Sequence, residues 1–508
     1  VGIDLGTTNT AVAYACSEEI RLLRVAQNRE GIIEENELFP SALYLLQGHE
    51  ITPEDLVLPW EGPKHYIAGC GAHTLGERIP SRLVLSAKSW LGLSHVGHND
   101  AILPLSSDPS IQKISPVEAL KRLIEHIRKA WNHKFCDYPL ENQTIVLTVP
   151  ASFDEKARRM TLEAMKKAGL GQFTFLEEPQ SAFYHLLNQG ISFAAGNTIL
   201  VCDIGGGTTD FSLIHVKQGA KSLLFERVLV GDHLLIGGDN IDYALAALLK
   251  ERLGVPLSEE EWLSLIRESQ HAKEHCLDQK EIVLLNASSS LMKSMKKVTV
   301  YRKDIEECIS AFFQILPWEE AKQISSKRAM RAFGLPFDAE PNVIKHLAKF
   351  LSKHEGQVTH ILFNGGQTKS PLVQKQIVAA LETWFPENPV TALPLYDPLF
   401  AVSQGAVAFG RAKLGIKGQK ISGGSGHSYL LELDSQAQSA FVVIPKGFEF
   451  GETLTLDPLF SLKCNRSVQF NLFSSSYQGK PGEVVPLDEN FIKQGILYGN
   501  LQSQGDEI

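Results

Sequence analysis

Two short segments of this chain share a plan that suits phosphate chemistry. Asp4-Leu5-Gly6-Thr7-Thr8-Asn9 follows an apolar run, and Asp203-Ile204-Gly205-Gly206-Gly207-Thr208-Thr209-Asp210 follows another. Phosphates need close-approaching backbone N–H donors, and glycine permits that approach. Threonine hydroxyls add donors, and a carboxylate at a strand end can hold Mg²⁺ through its water shell. Either segment alone reads better as an ordinary turn. Two copies in one chain favour a pair of phosphate-gripping hairpins. Neither G-x-x-x-x-G-K-[ST] nor a strand–G-x-G-x-x-G–helix unit is evident in the sequence, so the pattern fits neither the P-loop nor the Rossmann plan.

The elements that must position these residues alternate. Val1–Leu5 and Ala11–Ala15 read as strands around the first turn, and Thr198–Asp203 and Phe211–Val216 around the second. Ser115-Pro116-Val117-Glu118 has the form of a capping box opening a helix. Leu120, Leu123, Ile124, Ile127 and Trp131 follow at helical spacing. Ser152–Glu155 reads as a second capping box, with a helix ending near Gly169. Strands are expected at Thr144–Val149, Phe173–Leu176 and Ile361–Phe363, and helices at Pro179–Leu187 and Pro371–Leu381. Such alternation predicts an α/β fold. Gly415–Gly426 reads as a linker, and Val468, Phe470 and Leu472 alternate as in a half-buried strand. The expected organisation is therefore an α/β domain over 1–410, a linker over 411–426 and a small β-rich unit over 427–508, with a frayed polar end.

The composition sets bounds. The 508 residues are 44% hydrophobic and 21% charged, with a formal net charge of −9, which disfavours a general affinity for nucleic acid. Seven scattered cysteines form no C-x-x-C pair, as expected of free thiols in a reducing compartment. Cys70 and His73 stand at a metal-ligand spacing without a second pair. No apolar run approaches membrane-span length. The start at Val1 shows no basic n-region, so no signal peptide is expected. The expectation is a cytoplasmic protein that binds no membrane.

At this point a family resemblance becomes specific. VGIDLGTTNTAVA (1–13) and VCDIGGGTTDFSLI (201–214) resemble the two phosphate loops of DnaK-type heat-shock chaperones. TVPASFDEKARR (148–159) resembles their interdomain proline-switch segment, and LEEPQSAF (176–183) their catalytic-glutamate motif. GDHLLIGGDNID (231–242) is similar to their glycine-rich element, and FNGGQTKSPLVQ (363–374) to their adenosine-site loop. The motifs run in the family's order across 1–410. The resemblance implies a two-lobed actin-like ATPase fold, a duplicated ribonuclease H-like architecture with nucleotide between the lobes. It implies ATP/ADP, Mg²⁺ and a monovalent cation such as K⁺ as cofactors, and slow ATP hydrolysis coupled to polypeptide binding. Implied partners are unfolded or extended polypeptides, a J-domain co-chaperone and an exchange factor.

Site roles follow from the same resemblance. Asp4, Asp203 and Asp210 would organise Mg²⁺ and monovalent cations. Gly6, Thr7, Thr8, Asn9, Gly205, Gly206, Gly207 and Thr208 would contact phosphates, Asp203 and Thr208 also serving catalysis. Lys88, in LSAKSWLGL, falls at the catalytic lysine and Glu178 at the water-orienting base. Pro150 and Arg158 match a lobe-to-lobe relay. Gly237, Gly238, Lys273, Gly365, Gly366 and Lys369 would surround the nucleoside. Read singly, Lys88 could be a solvated surface charge, Glu178 a helix N-terminal charge and Pro150 a strand end.

Departures from the family are concentrated at the adenosine side. Gln270 stands at a ribose-binding acid, Glu274 where many members place an adenine-stacking arginine, and Lys369 at the other stacking arginine. Co-chaperone-facing basic residues are not evident at Gln172–Phe175, and Arg331–Leu351 differs from standard members. SAFVVIPKGFEFGE and RSVQFNLFSSS resemble the start of a peptide-binding β subdomain, short of a full one. The alternatives are a nucleotide-binding scaffold with little hydrolysis, an actin-like filament protein and a sugar kinase.

Overall fold

A computed structural model describes residues 1–500 except 48–56, 63, 93–96, 98, 107, 220–222, 276–277, 286–294, 325–330, 333–334, 337, 339, 355–356, 395–396, 417–420, 423–427, 435–438, 447, 449–452, 457–466, 476, 478 and 489–490. Half of the expected 411–426 linker, part of the SAFVVIPKGFEFGE stretch and the tail 501–508 lie outside the described residues.

The fold is mixed α/β and divides into two compact units. The first holds Val1–Leu213 and Gly231–Lys420, and the second holds Ile214–Val230 and Ile421–Ile508. This differs from a single cut at a linker, because the chain leaves the first unit after Leu213 and returns at Gly231.

Two sheets organise the first unit. One runs in the order Thr174–Glu177, Val146–Val149, Gly2–Leu5, Asn9–Cys16, Glu19–Leu22, with Leu38–Pro40 also paired to Asn9–Cys16. Its first three strands are parallel, and the last two join antiparallel. The other places Thr391–Ala392, His360–Asn364, Thr198–Ile204 and the strand beginning at Thr209 side by side. There too, His360–Asn364 lies parallel to both Thr198–Ile204 and Thr391–Ala392. The central strands are buried on both faces, which explains their continuous apolar runs: Ile199, Leu200, Val201 and Cys202 are fully covered.

The helices that cover the first sheet obey the sequence signals closely. Pro116–Lys134 buries Leu120, Leu123, Ile124, Ile127 and Trp131, and Ser115 caps it by accepting from Glu118 N. The carboxylate of Glu118 does not close the expected box; it accepts from Arg122 Nε at 2.8 Å. The second expected box is also replaced. Asp154, not Ser152, caps Glu155–Lys167 by accepting from Ala157 N at 2.8 Å, because Ser152 is drawn to Asp210 instead. Ala401–Lys413 packs on Glu178–Asn188 so tightly that a Cβ on Gly405 would collide with the Ser181 carbonyl. Ser181 Oγ in turn donates to Val402 O at 2.6 Å.

The second unit contains a five-stranded sheet, Val484–Pro486, Ser439–Ile444, Ser428–Asp434, Ser467–Ser475, Ile492–Asn500, with antiparallel neighbours throughout. Leu430, Ala440, Val442 and Val485 form its small core with Phe473, Leu487 and Phe491. Leu223–Val230 belongs to this unit and pairs in parallel with Ile421–Ser422.

Candidate functional site

The two glycine-turn aspartates stand at equivalent places in the two sheets. Asp4 ends the Gly2–Leu5 strand, where its register partner is Thr148 on the parallel neighbour. Thr148 Oγ1 donates to Asp4 Oδ1 at 3.1 Å. In the second sheet the register partner of Asp203 is Asn364, again on a parallel neighbour. Beyond each aspartate the chain turns through its glycines, and Gly205 N closes the second turn on Thr208 O at 2.9 Å.

The two turns meet closely. A Cβ on Gly206 would strike Thr8 Oγ1, and one on Gly207 would lie 3.0 Å from Ser89 Oγ and 3.1 Å from Thr7 Cγ2. Gly237 and Gly238 come alongside, with Gly238 N donating to Gly205 O at 3.1 Å and Asp239 N to Gly206 O at 2.7 Å. Gly365 takes a positive φ of 84°, and a Cβ there would meet the Ile204 carbonyl.

These approaches frame a cleft of about 530 Å³ inside the first unit. Of the residues expected from the sequence, its walls gather Asp4, Gly6, Thr7, Thr8, Asn9, Lys88, Glu178, Asp203, Gly205, Gly206, Thr208, Gly238, Lys273, Gly365, Gly366 and Lys369. Gly207, Gly237 and Asp210 are not among the lining residues. Asp210 is engaged elsewhere: His233 Nδ1 is 3.2 Å from both of its oxygens, and Ser152 Oγ lies 2.5 Å from Oδ1.

Lys88 is no solvated surface charge. It is buried to 6% exposure in a short 3₁₀ segment, and Nζ forms an ion pair with Glu178 Oε1. Glu178 is the first residue of its helix, so the strand-to-helix turn at Glu177-Glu178-Pro179 aims its carboxylate into the cleft. Arg158 reaches the same turn, with Nη2 3.4 Å from Glu177 Oε1.

Burial concentrates charge here. Burial, with the Glu178 carboxylate adding to it, pushes Asp4 up to about 7 against the pull of Lys88. Asp203 is raised well above the carboxylate range by burial and then by Glu178, although the Asn364 hydrogen bond opposes this. Burial works against the Lys88 ammonium, but Glu178, Asp4 and Asp203 together hold it above an ordinary lysine. Two half-buried acids lacking a full counter-charge offer the oxygen ligands that a hard dication takes.

At the far end of the cleft, Lys273 Nζ pairs with Asp242 Oδ1 at 2.7 Å and donates to Gly238 O at 2.8 Å. Gln270 Nε2 donates to Glu274 Oε1 at 2.9 Å, so these two substituted positions satisfy each other. Sequence reasoning missed Thr148, Asn364, Asp239 and Asp242. The first two are register partners of named aspartates, a signal that needs strand pairing. All four stand inside motifs already singled out.

Comparison with known proteins finds similarity to chaperones. A family model described as Hsp70 protein matches residues 97–319. The chain is 26% identical over 421 residues to the chaperone protein HscA of Pectobacterium carotovorum subsp. carotovorum, covering 80% of this chain and 57% of that protein. It is 29% identical over 304 residues to an HscA homolog of Acinetobacter baumannii, covering 57% of this chain and 44% of the relative. An HscA homolog of Polynucleobacter necessarius subsp. necessarius is 27% identical over 398 residues, 75% of this chain and 54% of its own length. The chain thus spans about half the length of the curated relatives it matches. Over residues 97–319 the chain is thus similar to the Hsp70 model, and over most of its length to HscA-type chaperones.

Proposed function

We propose that the first unit binds ATP with Mg²⁺ and hydrolyses it slowly, and that this cycle controls the capture of unfolded polypeptide segments. On this reading the two sheets are the lobes of a duplicated, actin-like ATPase fold. The observation that carries the proposal is the buried Lys88–Glu178 pair, set in one cleft with the two aspartates Asp4 and Asp203.

The residues fit the absent group. At glycines 206, 238 and 365 the cleft wall is packed so closely that a Cβ would collide with Thr8, Gln367 or the Ile204 carbonyl. Asn364 Oδ1, buried beside Asp203 in the cleft wall, has no hydrogen-bond partner among the described residues. Magnesium-bound ATP supplies the labile phosphoanhydride and the charge that these acids lack. The backbone and hydroxyls of Thr7, Thr8, Asn9 and Gly205–Thr208 would hold its phosphates. Asp4 and Asp203 would hold the hydrated cation, with Asp210 and a monovalent ion such as K⁺ supporting them. Lys88 would offset charge developing on the transferred phosphate. Glu178, anchored through Oε1, would accept a proton from the attacking water at Oε2. Gly237, Gly366, Lys273 and Lys369 would border the nucleoside.

Polypeptide clients are assigned to the second unit, whose sheet leaves Leu433, Ile444, Val484 and Leu497 exposed. A J-domain co-chaperone, an exchange factor and a cytoplasmic setting complete the proposal by analogy with the family. No helix among the described residues is long and apolar enough to cross a membrane. The test is calorimetric titration with MgATP followed by single-turnover hydrolysis: binding with slow turnover is expected, and absence of binding overturns the reading.

One observation favours a second reading, a nucleotide-binding scaffold that turns over little. The Gln270–Glu274 hydrogen bond leaves the nucleoside end with no acid dedicated to a ribose. Binding without measurable single-turnover hydrolysis would select it.

A further inference from the structure

A second cavity, about 160 Å³ and mostly apolar, adjoins the cleft and shares Thr7, Thr8, Asp239, Asp242 and Gln270 with it. Its body is walled by Leu83, Trp90, Leu103, Leu105, Leu263 and Ile266. A cavity of this order holds a benzene-sized ring.

One end is polar. Arg267, on the helix Glu259–Glu274, lines the cavity together with His73. Among the described residues its Nε and Nη1 are buried without a hydrogen-bond partner, while Nη2 makes a long contact of 3.4 Å to Glu77 O. Burial first and then the neighbouring Arg267 charge keep His73 below its usual value, so the imidazole does not compete for an anion as a second cation but can donate to one.

The acids around the cavity are already engaged. Asp242 pairs with Lys273 at 2.7 Å, Glu268 pairs with Lys280 at 2.5 Å, Asp239 lies in the field of the Lys273 charge with a long 3.4 Å contact from Ser86 Oγ, and Glu77 acts on Arg267 through its charge and its backbone carbonyl. The guanidinium is therefore the polar group of this cavity whose hydrogen-bonding capacity is left over. A buried donor without a partner is costly, and an ionised acceptor is its strongest complement.

We propose that this cavity is a binding site for a small amphipathic carboxylate, with an aryl or short alkyl body among the leucines and its carboxylate on Arg267. The site rests on its own residues and stands whether or not the adjoining cleft hydrolyses ATP. A ring in the cavity touches the walls at Thr7, Thr8 and Gln270 that the cleft also uses, so occupancy of one space bears on the other.

The test is calorimetric titration of the full chain, without nucleotide, using 3-phenylpropionate and its uncharged analogue 3-phenyl-1-propanol. The acid is expected to bind at least about tenfold more tightly than the alcohol, the worth of one charge-assisted hydrogen bond. Arg267→Gln should erase that preference and leave the alcohol's affinity unchanged. Leu263→Trp, which fills the cavity, should abolish binding of both. Equal affinity of acid and alcohol for the wild type, no binding of the acid, or unaltered acid binding by Arg267→Gln would each overturn the proposal. Circular dichroism establishes that the variants fold, and the Arg267→Gln comparison decides the matter even if Leu263→Trp does not.

Discussion

Asn364 sits directly opposite Asp203 on a parallel strand, and its Nδ2 donates to Asp203 Oδ2 at 2.8 Å. The contact fixes one carboxylate oxygen and leaves the other for the cleft, as second-sphere partners of metal ligands commonly do. Asn364→Leu removes that brace from an acid of the cleft wall. The Mg²⁺ concentration for half-maximal single-turnover hydrolysis should rise about tenfold, with a smaller change in the rate at saturating Mg²⁺. A magnesium titration reads this directly, and an unchanged midpoint would show that Asn364 serves packing alone.

Lys88→Ala should separate binding from chemistry. The ammonium touches Glu178 rather than either glycine turn, so ADP affinity should stay within about threefold while single-turnover hydrolysis falls by about 100-fold. Loss of both together would mean that the ion pair holds the cleft open rather than acting on the reaction.

Among the three aspartates read from the sequence, Asp210 differs from the others in already having partners, His233 and Ser152. Asp210→Asn should therefore cost under about tenfold in single-turnover rate, against about 100-fold for Asp203→Asn. Equal losses would place Asp210 beside the cation despite its imidazole neighbour.

Nucleoside selectivity should be weak. Gln270 and Glu274 bond to each other, and a lysine at 369 lacks a planar guanidinium to stack on a base. In competition titrations ATP and GTP should differ by less than about tenfold, and Lys369→Arg should tighten adenine nucleotides by about threefold.

A fold-level prediction concerns His126. Its Nε2 lies 2.9 Å from Ala26 O, and its ring stacks on Phe39 with centroids 4.7 Å apart. Burial pulls it down from 6.5 to about 4, so the folded chain keeps it neutral. For a lowered histidine the contribution to stability is complete above pH 6.5 and is lost as pH falls toward 4, a total of about 3 kcal/mol. Denaturant titrations across that range should show this loss in the wild type, and His126→Gln should flatten it. A variant as pH-sensitive as the wild type would refute the assignment.

Much of the cleft was legible because glycine, threonine and aspartate advertise a close backbone approach, and because helix periodicity marked the elements behind them. Ser115 and the Leu120–Trp131 stripe behave as the spacing predicts. The capping boxes were less legible, since a box depends on where a carboxylate finds a better partner: Glu118 found Arg122, and Ser152 found Asp210. Lys88 could not be told from a surface lysine by its neighbours in sequence, because its ion-pair partner Glu178 lies ninety positions away. Thr148 and Asn364 act through strand register, which no local pattern records.

The passage of the chain out of the first unit at Leu213 and back at Gly231 governs the order in which the protein can be completed. During synthesis from the amino end, Leu223–Val230 emerges well before Ile421–Ser422, the strand it pairs with. Until that late segment is made, the edge of Leu223–Val230 destined for it exposes backbone donors and acceptors, a template for mispairing that nascent chains must keep covered. A fragment ending at Lys420 would carry that uncovered edge permanently, and should therefore be less soluble than a fragment extended through the five-stranded sheet.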